Sequence, residues 1–353
     1  MAYTTVNKST DHFSTTTYTG NGSVSTALTT GTFQPDWVWF KNRGTTEAHL
    51  LMDACRGATK YIQSASTAAE GTSSDKISAF TSTGVTLGSG PETNENSQPL
   101  VCWSWKANGQ GSSNTSGTIN STYTSANTTS GFSIITYTGD GNSGATIGHG
   151  LGVAPKLVMI KKLNGADAWF ITGTDLGWNK YLSLNANSAE SGSSNNSFTG
   201  TAATTTVFSV GSDSGVNGNG DTYVAYVFAE KTGFSKFGLY TGNGNTTNPP
   251  FIYTGFKPHW VLTKANAASE SWQITDLVRD NAVGGGNGTG ARLIANSTAA
   301  ESTNTTWAAV HKFSNGFSPQ HNDGVTNMDG RTYLYIAFGQ SLVGSNNTPC
   351  TAR

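Results

Sequence analysis

Thr222-Tyr-Val-Ala-Tyr-Val-Phe-Ala-Glu230 is the stretch whose reading decides the fold. Side chains along a strand alternate between its faces, so Tyr223, Ala225 and Val227 point one way and Val224, Tyr226 and Phe228 the other. Both sides are apolar. A strand of this kind sits centrally in a sheet, covered on each face. Leu100-Val-Cys-Trp-Ser-Trp-Lys106 and Thr332-Tyr-Leu-Tyr-Ile-Ala-Phe-Gly339 have the same character.

Each of these strands closes a longer pattern that runs three times along the chain. The pattern opens on a turn: Tyr18-Thr-Gly-Asn-Gly, Tyr137-Thr-Gly-Asp-Gly and Tyr240-Thr-Gly-Asn-Gly, starting 119 and 103 residues apart. A Pro-led strand ending in Lys follows: Phe33-Gln-Pro-Asp-Trp-Val-Trp-Phe-Lys41, Val153-Ala-Pro-Lys-Leu-Val-Met-Ile-Lys161 and Phe256-Lys-Pro-His-Trp-Val-Leu-Thr-Lys264. Next comes a short motif ending in Glu: Ser64-Ala-Ser-Thr-Ala-Ala-Glu70, Asn185-Ala-Asn-Ser-Ala-Glu190 and Ala295-Asn-Ser-Thr-Ala-Ala-Glu301. Motifs kept in one order three times mark an internal repeat. Short, regular turns and Thr, Val and aromatic strands predict an all-β fold. The expected architecture is three tandem antiparallel β-sandwiches, jelly-roll or lectin-like, of about 100 residues each. They span 1–107, 131–232 and 236–341. Residues 108–130, mostly Asn, Gly, Ser and Thr, read as a flexible linker on which copy one swings. The joint Lys231-Thr-Gly-Phe-Ser-Lys236 is short, which predicts that copies two and three move as one body. Residues 342–353 form a tail.

Composition narrows the function. Of 353 residues, 12% are charged and 10% aromatic, and the formal net charge is −1. Disorder by charge repulsion needs high net charge and few aromatics, so this chain folds. Nucleic-acid binding needs a clustered basic face, and the longest basic feature is the pair Lys161–Lys162. No apolar run approaches the ~20 residues of a membrane-spanning helix. The N-terminal Met-Ala-Tyr-Thr-Thr carries no signal-peptide pattern, so synthesis in a cytoplasm and release by lysis are expected. Cys55, Cys102 and Cys350 are an odd, widely spaced set that gives no disulfide framework, although Cys55 and Cys102 lie within one copy.

Candidate sites are few. Gly139-Asp-Gly-Asn-Ser-Gly144 matches a dinucleotide-binding pattern, but a poor helix former follows it, and a hairpin turn is the better reading. Glu70, Glu190 and Glu301 stand singly in each copy with no second recurring carboxylate, so acid–base catalysis has no pair and capping of backbone donors is expected. The six His are scattered without metal-ligand spacing. Acidic turns at Asp221, Asp323 and Asp329 leave calcium as an alternative, without the usual loop pattern. No catalytic residue, metal site or cofactor is therefore assigned, and the chain reads as no enzyme. Asp53-Ala-Cys-Arg56 and Asp276-Leu-Val-Arg279 form local ion pairs that order a loop, or else hold a sugar hydroxyl or carboxylate. Trp37 and Trp39 share one face of a strand, which suits either a core or a sugar-stacking surface. These six residues, Trp37, Trp39, Asp53, Arg56, Asp276 and Arg279, are the candidate ligand or partner contacts. What recurs in every copy holds the fold. Recognition is expected where the copies differ, in 50–61, 171–181 and 274–292.

Asn7-Lys-Ser-Thr-Asp-His-Phe13, the Tyr18 turn, Phe33–Arg43 and Arg56-Gly-Ala-Thr-Lys-Tyr61 resemble the start of a repeat in uncharacterised proteins of marine bacteriophages, cyanophages especially. Gly211-Ser-Asp-Ser-Gly-Val-Asn-Gly-Asn-Gly-Asp-Thr-Tyr-Val-Ala-Tyr226 and Gly233-Phe-Ser-Lys-Phe-Gly-Leu-Tyr-Thr-Gly-Asn-Gly244 are similar to its most characteristic phrases. The resemblance covers nearly the whole chain. Copy one departs from it at Gly88-Ser-Gly-Pro-Glu-Thr-Asn-Glu-Asn96, where a long Gly/Asn turn belongs. The resemblance implies a virion structural or tail-fibre-like protein, in some relatives with concanavalin-like lectin domains, and no catalytic residues. The leading expectation is a virion surface component, in the tail and adsorption apparatus or decorating the capsid. It would touch other virion proteins and assemble as a homo-oligomer, a trimer in particular. A low-charge β surface suits sea-water salt, where ion pairs are screened. The alternative is a lectin that binds a host surface glycan by repeated weak contacts. A polysaccharide depolymerase is the remote reading, because it needs two facing carboxylates.

Overall fold

The computed structural model describes residues 6–192, 196–279, 290–303 and 310–341. The tail 342–353, with Cys350, lies outside them. The protein is an all-β sandwich fold built from antiparallel sheets. Each repeat contributes one large sheet with the same strand order. The opening strands, Phe13–Thr19, Phe132–Thr138 and Ser235–Thr241, pair with the closing strands, Pro99–Trp105, Thr222–Phe228 and Thr332–Ser341. The closing strands pair in turn with the Lys-bearing strands, Trp37–Asn42, Leu157–Lys162 and Phe256–Ala265. These pair with Leu50–Asp53, Trp169–Gly173 and Gln273–Asp276. The closing strand is thus central, as its two apolar faces require.

The two faces have different covers. On the outer side a small sheet completes the sandwich. It comprises Thr26–Thr29, Ile77–Thr81 and Gly84–Leu87 in copy one, Thr146–Gly148 and Val207–Ser209 in copy two, and Ile252–Tyr253, Val310–Phe313 and Gly316–Pro319 in copy three. Three separate apolar clusters lie there, one per copy; Tyr223, Ala225 and Val227 belong to one, Val38 and Phe40 to another. On the inner side all three large sheets face a single cluster. Val224, Tyr226 and Phe228 meet Trp37, Trp39, Trp103 and Trp105 of copy one and Trp260, Ile336 and Phe338 of copy three. Trp37 stacks on Tyr226 with ring centroids 4.6 Å apart, and Trp105 meets Trp260 edge-on at 5.6 Å. A fully buried Trp side chain contributes roughly 4–6 kcal/mol of gross burial energy. No copy can collect this alone, because half of its large sheet is covered only by the other two.

Backbone hydrogen bonds close the three copies into a ring. The Glu70 N–H donates to the Leu163 carbonyl of copy two at 2.8 Å, Glu190 to Asn266 of copy three at 2.6 Å, and Glu301 back to Arg43 of copy one at 2.9 Å. These three links join equivalent positions in one rotational sense, so the chain has an internal pseudo-threefold axis. Ser64, Leu184 and Ala295 occupy equivalent positions, all fully buried. The Ser64 hydroxyl donates to the Ala295 carbonyl across two copies.

The segment 108–130 differs from the flexible linker its composition predicts. Ser121–Asn127 is a strand that pairs antiparallel with Phe132–Thr138 and adds an edge to the second sheet. The Asn108 N–H donates to Ser125 Oγ at 2.8 Å, and the Ile119 N–H to the Thr146 carbonyl at 3.0 Å. Ser and Thr hydroxyls satisfy backbone groups here, so a composition that elsewhere means solvation means pairing. Copy one therefore does not swing free; its core and two of the three ring links tie it to its neighbours.

Candidate functional site

The six candidate contacts are all buried. Trp37 and Trp39 are 2% and 1% exposed and lie in the shared core. The other sheets cover them, so in the folded chain they are closed to a sugar. Asp53 and Asp276 are wholly buried, and the Arg56 and Arg279 side chains are 3% and 0% exposed. Each Asp–Arg pair orders its own loop, as one reading of the sequence expects, and each also takes the Glu of the repeat motif. Arg56 Nε donates to Asp53 Oδ2 at 2.6 Å and its Nη1 to Glu70 Oε2 at 3.1 Å. Arg279 Nη1 donates to Glu301 Oε2 at 2.6 Å. Burial works against the charged forms, yet the carboxylates outweigh it and raise the pKa of both arginines. Both guanidiniums are therefore held in their charged form.

A neighbouring copy completes each network. The Tyr226 hydroxyl of copy two donates to Asp53 Oδ2 at 2.8 Å. The Trp103 indole of copy one donates to Asp276 Oδ2 at 3.0 Å, and the Arg279 guanidinium lies 5.3 Å from that indole's ring centre. In the middle copy, strand register puts Gly173 where the others have Asp, since Leu157 pairs with Gly173 as Trp37 pairs with Asp53. Leu176 then stands for Arg. The residue equivalent to Tyr226 and Trp103 is Ile336, and it too is apolar. A buried charge pair and its cross-copy donor occur together or not at all. That is the pattern electrostatics demands, since an orphan on either side costs more than the pair returns.

The recurring Glu, with Lys41 and Lys161, are also cross-copy fasteners rather than caps, whereas Lys264 Nζ donates within its own copy, to the Ala268 carbonyl at 3.0 Å. Glu301 accepts from Arg43 of copy one at 2.6 Å, and Glu190 accepts from Asn266 of copy three at 3.3 Å. Lys41, Lys161 and Lys264 are wholly buried. Lys41 Nζ donates to the Thr298 carbonyl at 3.0 Å and Lys161 Nζ to the Thr67 carbonyl at 3.2 Å, each in the preceding copy of the ring. Burial pulls all three lysines down to about 8.

One equivalent position breaks the pattern. Trp169 and Trp272 donate their indole N–H to the Gln63 and Ser183 carbonyls of the preceding copy, both at 2.9 Å. Copy one has His49 there. Its Nδ1 accepts from Trp39 Nε1 at 2.9 Å, and its Nε2 makes no hydrogen bond of normal geometry. Met159 and Leu262 replace Trp39 in the copies that carry Trp instead of His. Burial, then Lys41 and Arg279, push the His49 pKa well below 6.5. A group whose folded pKa is depressed binds its proton in the unfolded chain first. Stability is then present above pH 6.5 and lost as pH falls below it, by about 1.4 kcal/mol per unit. The pair Trp39→Met with His49→Trp installs the other copies' solution. Urea midpoints at pH 7, 6 and 5 are expected to show this variant gaining on wild type by about that slope below pH 6.5. A constant gap across the three would remove His49 as an acid-sensitive group.

Sequence reading missed a further recurring residue. Asn94, Asn217 and Asn327 are buried behind the Tyr-Thr-Gly turns, and each side-chain oxygen accepts the N–H of the fourth turn residue, Asn21, Asp140 and Asn243, at 2.9–3.0 Å. Tyr137 and Tyr240 hydroxyls donate to the Val216 and Thr326 carbonyls at 2.6 and 2.7 Å, and Tyr18 does the same to Thr93. Copy one therefore keeps the shared turn although Gly88–Asn96 departs from the pattern; Pro91–Asn94 forms the same helical turn as Ser214–Asn217. The signal was present as an Asn nine residues before Trp103, Tyr226 and Ile336. Gly139–Gly144 is part of this latch, as Asn217 Nδ2 donates to the Asn142 carbonyl.

Cys55 and Cys102 are buried and form no disulfide; the Cys55 thiol donates to the Gln110 carbonyl at 3.2 Å. Among the described residues no three His, Cys, Asp or Glu side chains group to hold a metal. An open depression of about 340 Å³ is lined by Asn, Ser, Thr, Ala and Gly only, from Asn108 to Gly150. Among the described residues the exposed aromatics stand elsewhere, in copy three, where Phe251 and Tyr253 are 51% and 52% exposed. No curated protein and no solved structure matches the chain. A family model does match, over residues 8–341, which take in all three repeats; the chain belongs to that family, described as a domain of unknown function (DUF7483).

Proposed function

We propose that this protein is a non-enzymatic structural component of a bacteriophage virion, displayed on the particle surface in the tail and adsorption apparatus or as a capsid decoration. The observation that carries this reading is the use made of the recurring charges. Every recurring Glu and Lys, and both Asp–Arg pairs, lie in contacts that fasten the copies or order their loops. Such a body is suited to holding its shape outside a cell, with a surface whose turns are made of Ser, Thr, Asn and Gly. The marine-phage resemblance supports the same reading. The family match spans the whole ring, which supports the three-copy unit as the working part. The protein would contact other virion proteins and assemble as a homo-oligomer, a trimer in particular, a symmetry that the threefold contacts within one chain already suit. Contact with a host surface glycan is the second reading, favoured by the exposed aromatics of copy three. Immunogold labelling of intact, gradient-purified particles tests the first: label on tail or capsid is expected, and particles that carry none would refute it.

A further inference from the structure

The small outer sheets of copies one and three superpose by register. Thr29 pairs with Gly84, and Tyr253 with Gly316; Thr81 pairs with Gly84, and Phe313 with Gly316. The same register aligns Ala27 with Phe251 and Ala79 with His311. The solvent face of copy one thus carries Ala27, Thr29, Ala79 and Thr81 where copy three carries Phe251, Tyr253, His311 and Phe313. Four small residues become four rings on one face. Phe251 meets Phe313 edge-on at 5.6 Å, and His311 meets Phe313 at 6.5 Å. Lys236, from the neighbouring edge strand, lies 5.4 Å from the Tyr253 ring centre, with Nζ donating to the Tyr253 carbonyl at 3.1 Å. Copies one and two have Ser14 and Ser133 in its place.

Copy one forms this sheet without the rings, so the fold does not require them. Leaving aromatic surface in water needs another reason. Phe251 and Tyr253, about half exposed, offer roughly 100 Å² each, and the partly buried Phe313 and His311 less. The whole patch is then a few hundred Å², well under the ~800 Å² per partner of a stable protein interface. It matches one or two sugar residues, whose apolar faces stack on rings, while the ammonium of Lys236 suits an acid group beside them. We propose that this face of copy three binds an acidic polysaccharide by stacking its pyranose rings on Phe251, Tyr253 and Phe313 and pairing its carboxylates with Lys236. The proposal rests on the glycan-contact reading and is independent of where the protein sits in the particle.

Affinity electrophoresis of the full chain in gels containing alginate, a polyuronate, or dextran, a neutral glucan, tests it. The variant Phe251→Ala/Tyr253→Thr/Phe313→Thr installs copy one's own residues, which this fold already accommodates, and circular dichroism checks its folding. Alginate is expected to retard the wild type, with the dissociation constant raised at least tenfold in the triple variant and severalfold in Lys236→Gln. Dextran is expected to retard it far less. Equal retardation of wild type and triple variant would place any binding elsewhere, and no retardation by alginate, or equal retardation by dextran, would overturn the proposal. Failure here leaves the virion reading standing, and unlabelled particles would leave this one standing.

Discussion

Replacing Arg56 by Ala is expected to destabilise the protein by about 3–5 kcal/mol, the cost of leaving a buried carboxylate without its cation. Arg56 donates to Asp53, to Glu70, to the Leu51 carbonyl at 3.2 Å and to the Tyr226 hydroxyl at 3.3 Å. Asp53 has no exposed surface through which water could replace these bonds. The middle copy shows how the same place is built without charge, using Gly173 and Leu176. The combination Asp53→Gly, Arg56→Leu and Tyr226→Phe removes both charges and the donor that serves them. Glu70 keeps Lys60 at 3.4 Å, as Glu190 keeps Lys180 at 2.7 Å in the middle copy. This triple variant is therefore expected to lie within about 2 kcal/mol of wild type, since an apolar replacement of a whole buried pair is close to neutral. Urea unfolding of the three proteins at pH 7 decides the matter. A triple variant no more stable than Arg56→Ala would show that the pair contributes more than its mutual neutralisation.

Trp37→Ala is expected to cost about 3–5 kcal/mol through the cavity it leaves. What distinguishes it is where that cavity lies. Trp37 touches Trp39 and Trp105 of its own copy and Phe132, Tyr226 and Phe228 of copy two. Trp105 then passes the contact to Trp260 and Phe338 of copy three. Loss of one side chain from copy one should therefore lower the unfolding of all three copies together. Were the copies independent, two thirds of the molecule would unfold as before.

The strand class was legible from the two-faced runs at Leu100, Thr222 and Thr332, and so were the repeat and its turns, because alternation and turn residues are local. What covers a face is not local. Val224 and Tyr223 look alike in sequence, yet one meets another copy and the other its own small sheet. Trp37 and Trp39 read as candidates for a ligand for the same reason, since an apolar face does not name its partner. Asp53 and Arg56 were legible as a loop-ordering pair, but the donor that completes the site, Tyr226, is 173 residues from Asp53. The 108–130 segment misled because Ser, Thr and Asn serve both solvated chains and side-chain-to-backbone pairing. In Ser121-Thr-Tyr-Thr-Ser-Ala-Asn127 the Thr and Tyr content was the better guide. In the variable loops 50–61, 171–181 and 274–292 the pairs Asp53–Arg56 and Asp276–Arg279 turn inward, while Asp175 and Val278 are exposed; 280–289 lies outside the described residues. A further exposed difference between copies lies on the outer sheet, where register rather than motif reveals it.

Calorimetry of the intact chain is the most direct test of the closed, shared-core body. A single endotherm is predicted, with calorimetric and van't Hoff enthalpies equal, and Trp37→Ala should shift that whole endotherm down. Two or three resolvable transitions, with only one of them moved by Trp37→Ala, would contradict it and return the protein to three sandwiches on a string.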